Sequence, residues 1–176
     1  MFKLGLIINP IAGIGGSVAL KGSDGEGIAE QAVALGATAK ANQRACLALE
    51  ILRPYQDNII VYCADHLMGE NSAKSLGFTT EVIYQTNDPE HTTATDTENM
   101  VEALLAINVD MLLFAGGDGT ARNVCKIVGD TFPVLGIPAG CKIHSGVYAV
   151  TPKAAGRVVE MMITNQLVTL TEADVM

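Results

Sequence analysis

Apolar residues fall in short dense blocks, separated by longer stretches with helical spacing. Leu4–Ile8 is one such block, closed by Asn9-Pro10. Proline lacks the N–H a ladder needs, so this block predicts a buried strand that stops there. Asn58–Cys63, Thr79–Tyr84, Val109–Ala115 and Pro133–Ile137 predict four more strands. Between them, Ala45, Leu49 and Leu52 recur at i, i+4 and i+7, with Pro54 just past the end. Asp65 is placed to cap a helix that stops at Gly77. Thr95 and Glu98 have capping-box spacing, ahead of Met100, Leu104 and Ile107 on one helical face. A helix is expected from the Gly116–Thr120 loop to about Gly129, and another over Lys153–Thr164. Leu167–Leu170 predicts the start of a further strand.

Strand and helix alternate, which implies right-handed crossovers and an α/β fold: an open, mainly parallel sheet with helices on both faces. The 176 residues are enough for one domain with a single core. Residues 11–27 are too glycine-dense for a helix interior.

Composition narrows the class. Hydrophobic residues make up 49% and charged residues 17%, which excludes a disordered chain. A net charge of −8 argues against a DNA or RNA partner. No apolar run approaches the ~20 residues needed to span a bilayer, so no membrane partner is expected. Cys46, Cys63, Cys125 and Cys141 are widely spaced with no C-x-x-C, which reads as reduced thiols in a cytoplasmic protein and gives no metal-ligand pattern.

Ligands of open α/β sheets bind beyond the carboxyl ends of the strands. Three predicted strands end there in unusual loops: Asn9–Gly16, Gly116–Thr120 and Pro138–Ser145. In Gly116-Gly117-Asp118-Gly119-Thr120, glycines at positive φ are expected to turn the chain and let a ligand approach the backbone. The helix that follows offers N–H groups to an anion. Thr120 would cap that helix or bond a phosphate oxygen. Asp118 repels a phosphate, so it fits a proton acceptor for an attacking hydroxyl or a holder of magnesium. A tight turn with Asp118 as a solvated cap is the other reading. Lys142 and Arg122 flank the same crevice, as does His144. The G-x-G-x-x-G fingerprint is absent because Val18 stands where glycine is needed, and there is no Walker A or G-x-S-x-G motif.

Asn9-Pro10-x-Ala12-Gly13, Gly-Gly-Asp-Gly-Thr at 116–120 and Gly136-Ile137-Pro138-Ala139-Gly140 together resemble the NAD kinase and diacylglycerol kinase superfamily. Leu20–Gly25, Thr93–Thr97, Ala121-Arg122-Asn123 and Lys142–Ser145 are similar to its ATP-NAD kinase, AcoX-type branch. The resemblance implies phosphoryl transfer from ATP or polyphosphate, with Mg2+ accompanying the donor, to the 2′-hydroxyl of NAD. It implies that Asp118 is the base. It assigns Asn9, Gly13, Gly116, Gly117, Gly119, Thr120, Arg122, Asn123 and Lys142 to phosphate or nucleotide binding. It also implies a nucleotide domain over residues 1–165, with 166–176 opening a second, β-rich domain. On that expectation this chain alone has little NAD kinase activity, and an apolar patch left by the second domain promotes self-association. A lipid or small-molecule kinase of the same superfamily and a non-catalytic nucleotide sensor are the competing readings.

Overall fold

The computed structural model describes residues 1–14, 27, 40–140, 143–166 and 169–176. Its five strands are β1 (Phe2–Ile8), β2 (Ile59–Ala64), β3 (Thr79–Tyr84), β4 (Met111–Gly116) and β5 (Val134–Pro138). Its helices are α1 (Ala41–Leu52), α2 (Glu70–Ser75), α3 (Ala94–Ala106), α4 (Asp118–Val128) and α5 (Pro152–Ile163), with short 3-10 turns at Arg53–Asn58 and His66–Met68. The strands form one parallel sheet in the order β3-β2-β1-β4-β5. This is the expected α/β architecture.

The two faces follow from strand alternation. Leu4, Leu6 and Ile8 of β1, with Val61, Leu113 and Ile137, point to a face covered by α1, α2 and α5. Ile7, Leu112 and Phe114 point to the face covered by α3 and α4. Both faces are therefore dry, and so the β1 run is apolar at successive positions rather than alternating. Helices sit close to the sheet where side chains are missing. A Cβ on Gly5 would lie 2.9 Å from Leu104, and one on Gly156 would lie 2.3 Å from the Ala48 carbonyl oxygen. The second contact lets α5 press directly on α1.

Several local expectations shift. Asp65 stands at the N-cap of the His66–Met68 turn, but its side chain does no capping: its Oδ1 accepts from the N–H and hydroxyl of Thr86, both at 3.0 Å. The predicted helix to Gly77 is split at Gly69, where φ is +151° and a Cβ would meet the Cys63 Cβ at 2.8 Å. The capping box at the start of α3 is Thr93 with Asp96, two residues before the expected pair. Asp96 is the better partner because it also accepts from the Tyr84 hydroxyl at 2.8 Å. Four of the described helices run into residues at positive φ, at Gly77, Asn108, Gly129 and Asn165, the conformation that turns a chain out of a helix. Of the expected strand at Leu167–Leu170, Thr169 and Leu170 are irregular, and Leu167 and Val168 lie outside the described residues.

The chain runs outward from β1 to β2 and β3, then jumps back across β1 to β4 and β5. The change of direction puts a topological switch point between the carboxyl ends of β1 and β4. Asn9 and Gly117 stand there.

Candidate functional site

The loop after β1 is fixed by its first residue. Asn9 N–H donates to the Ala115 carbonyl at 2.9 Å, continuing the ladder one step past β1. Its side-chain carbonyl accepts from Ile11 N–H at 3.3 Å, an Asx turn that starts the loop. Its side-chain amide donates to Thr120 Oγ1 at 3.0 Å. Thr120 is therefore not the helix cap: Gly117 occupies that position, and Thr120 lies buried in the first turn of α4 with its hydroxyl turned toward Asn9.

The glycines act differently from the expectation. Gly116, Gly117 and Gly119 do not have positive φ. Gly116 and Gly117 are required for close approach. A Cβ on Gly116 would overlap Thr120 Oγ1 at 2.2 Å, and one on Gly117 would lie 3.2 Å from the Gly140 Cα. Gly13 is at φ +76°, and a Cβ there would sit 2.1 Å from the Ala139 carbonyl oxygen. The three loops thus touch backbone to backbone. Ala139 N–H also donates to the Gly116 carbonyl at 2.9 Å. Gly119 is half-buried in the first turn of α4.

Asp118 opens α4, where a carboxylate complements the helix dipole. Its Oδ2 accepts from His144 N–H at 2.9 Å. Its Oδ1 accepts from Ser145 N–H at 3.0 Å and from the Ser145 hydroxyl at 2.7 Å. Burial works to raise its pKa, but the Ser145 hydroxyl and the two main-chain donors outweigh it, so the carboxyl stays below the usual carboxylate range. Asp118 is thus ionised, and it clamps the start of α4 to the loop after β5. The first intrahelical bond is Ala121 N–H to the Gly117 carbonyl, so the amides of Asp118, Gly119 and Thr120 are the orphan donors of this helix start.

Arg122 is exposed and donates to the Met176 carbonyl at 2.7 Å. Asn123 is half-buried on α4. Lys142 lies outside the described residues. The structure thus brings Asn9, Gly13, Gly116, Gly117, Asp118 and Thr120 together, with Arg122 at the rim.

Sequence reasoning missed three residues. Arg44 of α1 donates to the Pro138 carbonyl at 3.2 Å and brings a cation to the carboxyl end of β5. Tyr148 donates its hydroxyl to the Gly117 carbonyl and packs edge-on against Phe114, with ring centres 5.4 Å apart. Burial, then the Asp118 charge, pushes the Tyr148 pKa upward. Ser145 has a second bond, accepting from Met176 N–H at 3.0 Å. Only Ser145 lay within a recognisable segment. The other two act across more than 30 residues with no local signature.

A cavity of about 690 Å³ opens nearby, between the β5 edge, residues 129–133 and the tail 169–175. It does not include Asn9 or Gly116–Thr120 and is a separate recess. Among the described residues no three His, Cys, Asp or Glu side chains gather as a metal cage, and no helix is long and apolar enough to cross a membrane.

A doubly wound parallel domain with glycine-dense loops gathered at its switch point defines the class. Within it, the family model described as ATP-NAD kinase N-terminal domain matches residues 4–167, and the chain belongs to that family. Comparison with curated proteins finds no match.

Proposed function

We propose that the chain is the phosphotransfer half of an NAD kinase, moving the γ-phosphoryl group of ATP, or a terminal group of polyphosphate, to the 2′-hydroxyl of NAD. The observation that supports it best is the position of Asp118. The carboxylate stands at the start of α4, beside the Asn9–Thr120 bridge and at the switch point. A donor phosphate there meets the orphan amides of Asp118, Gly119 and Thr120, with Arg122 at the rim. Magnesium is expected on the donor's own phosphates, since the described residues offer no cage for it.

In this reading the acceptor oxygen attacks the γ-phosphorus in line. The bond from phosphorus to the leaving phosphate oxygen breaks as the new one forms, and the hydroxyl proton passes to Asp118. The Asp118 Oδ2, which has a single donor among the described residues, is the oxygen assigned this task. Asn9 and Thr120 fix the loop, and Gly13, Gly116 and Gly117 admit the close backbone approach it needs. A dinucleotide needs a large concave surface, more than three loops supply. Part of the acceptor site is therefore assigned outside the described residues, in a second domain entered through residues 166–176.

One observation favours a second reading. Asp118 already accepts three hydrogen bonds, and a carboxylate so held is a weaker base. A nucleotide-binding module without turnover would use Asp118 only as the clamp. The test is thermal protection by ATP, polyphosphate and NAD, followed by NADP formation with ATP and magnesium. Binding with turnover supports the kinase. Binding without turnover, in a form that includes any second domain, supports the sensor. No protection at millimolar levels rejects both.

A further inference from the structure

We propose that Ser145 is the positioning residue for Asp118, and that its hydroxyl couples the tail segment Asp174–Met176 to that carboxylate. The inference deepens the kinase reading and rests on it for its meaning in catalysis. Its geometry stands apart from that reading.

Ser145 is 6% exposed, and its hydroxyl has two partners. It accepts from Met176 N–H at 3.0 Å and donates to Asp118 Oδ1 at 2.7 Å. Because the tail amide supplies the hydroxyl with a donor, its own proton is directed at Asp118. The tail is held on both sides of this contact. Gly146 N–H donates to the Asp174 carbonyl at 2.7 Å, and Arg122 donates to the Met176 carbonyl at 2.7 Å. Tail, hydroxyl and carboxylate therefore form one chain of hydrogen bonds, which polarise one another in series.

The consequence is a division of labour between the two carboxylate oxygens. Oδ1 takes both Ser145 donors and is fixed, while Oδ2 takes, among the described residues, a single donor, His144 N–H, and has a lone pair left for an incoming hydroxyl. A carboxylate anchored at one oxygen has one rotamer, which is what in-line attack requires. The ionisable groups facing it are His144 and Tyr148 of the loop after β5. Arg122 on its own helix and Asp174 in the tail stand one contact further away.

The experiment reads Asp118 directly. The protein is labelled with ¹³C at aspartate carboxyls, and the Asp118 signal is assigned by its loss in Asp118→Asn. Its titration is followed in the parent, Ser145→Ala, Ser145→Cys and Ser145→Thr. The Ala and Cys variants both remove a strong donor, so one suffices should the other not fold. They should move the Asp118 midpoint upward. Ser145→Thr keeps the hydroxyl and should titrate like the parent. An unmoved midpoint in Ser145→Ala, or the same displacement in Ser145→Thr, overturns the proposal.

A second arm measures NADP formation with ATP and magnesium. Ser145→Ala should lower kcat about 10- to 100-fold, with little change in KM for ATP, and raise the acidic limb of the pH profile. An unchanged kcat overturns the positioning role. A parent protein that binds nucleotide but never turns over rejects the kinase reading instead, and the titration still decides whether Ser145 holds Asp118.

Discussion

Asn9 and Thr120 hold each other across the switch point, 3.0 Å apart, with Thr120 buried beneath the loop that Asn9 begins. The bond ties the end of β1 to the first turn of α4, so the crevice floor is set by two residues far apart in sequence. Replacing Thr120 by Val keeps the shape and strands the Asn9 amide. Thr120→Val should cost about 1–3 kcal/mol, measured by urea denaturation. Asn9→Ala with Thr120→Val should cost less than the sum of the two singles, and strict additivity would show that the bond contributes nothing.

Asp118→Asn should reduce turnover about 10²–10⁴-fold in an active form of the protein. It should also destabilise the fold, because one oxygen that accepts donors becomes an amide group that meets them. The sign with pH is fixed by the lowered Asp118 pKa. A carboxyl depressed in the folded state adds stability above its unfolded value, near 3.8, and loses it as pH falls through the folded value. The stability gap between parent and Asp118→Asn should be full at pH 6–7 and close below pH 4. A gap that widens in acid would contradict the clamp.

Gly13→Ala combines two penalties, a left-handed backbone and a Cβ 2.1 Å from the Ala139 oxygen. It should destabilise the protein by at least about 2 kcal/mol and abolish nucleotide protection, since the loops after β1 and β5 would separate. Calorimetry with and without ATP reads both effects. A variant with parental melting temperature would mean that the loops do not touch.

Thiol reactivity should follow burial. Cys63 is fully buried within β2, and burial pushes its thiol up to about 12, while Cys46 is half-buried. Under native conditions at pH 8, an alkylating reagent should reach Cys63 only at the global unfolding rate. Mass mapping that finds Cys63 modified before Cys46 would refute the packing of β2.

The sheet was legible because a strand buried on both faces leaves an uninterrupted apolar run. β3, Thr79–Tyr84, is the exception: a half-exposed edge strand whose span is read from alternation and not from an apolar run. Helix starts were less legible. Thr93 with Asp96 and Thr95 with Glu98 share one spacing, and only the distant Tyr84 hydroxyl breaks the tie. At the site, the three loops singled out in the sequence meet in the structure, but positive φ is not what makes Gly116 and Gly117 glycine. Backbone freedom at Gly116 and Gly117 is a local property and was assumed; the contacts that exclude a Cβ involve Thr120 and Gly140 and depend on the fold. Ser145 and Tyr148 were invisible as partners of Asp118 and Gly117 for the same reason.

The earliest of the described strands lies at the middle of the sheet: β1 pairs with β2 on one side and, through Leu4 and Met111, with β4 on the other. On the ribosome, Leu4–Ile8 emerges with no neighbour on either side and stays half-paired until the chain has grown past β4. Its open edge on the β4 side stays without a partner throughout that interval. Folding should be late and cooperative, with protease resistance arising in one step once β5 and α5 have also cleared the exit tunnel.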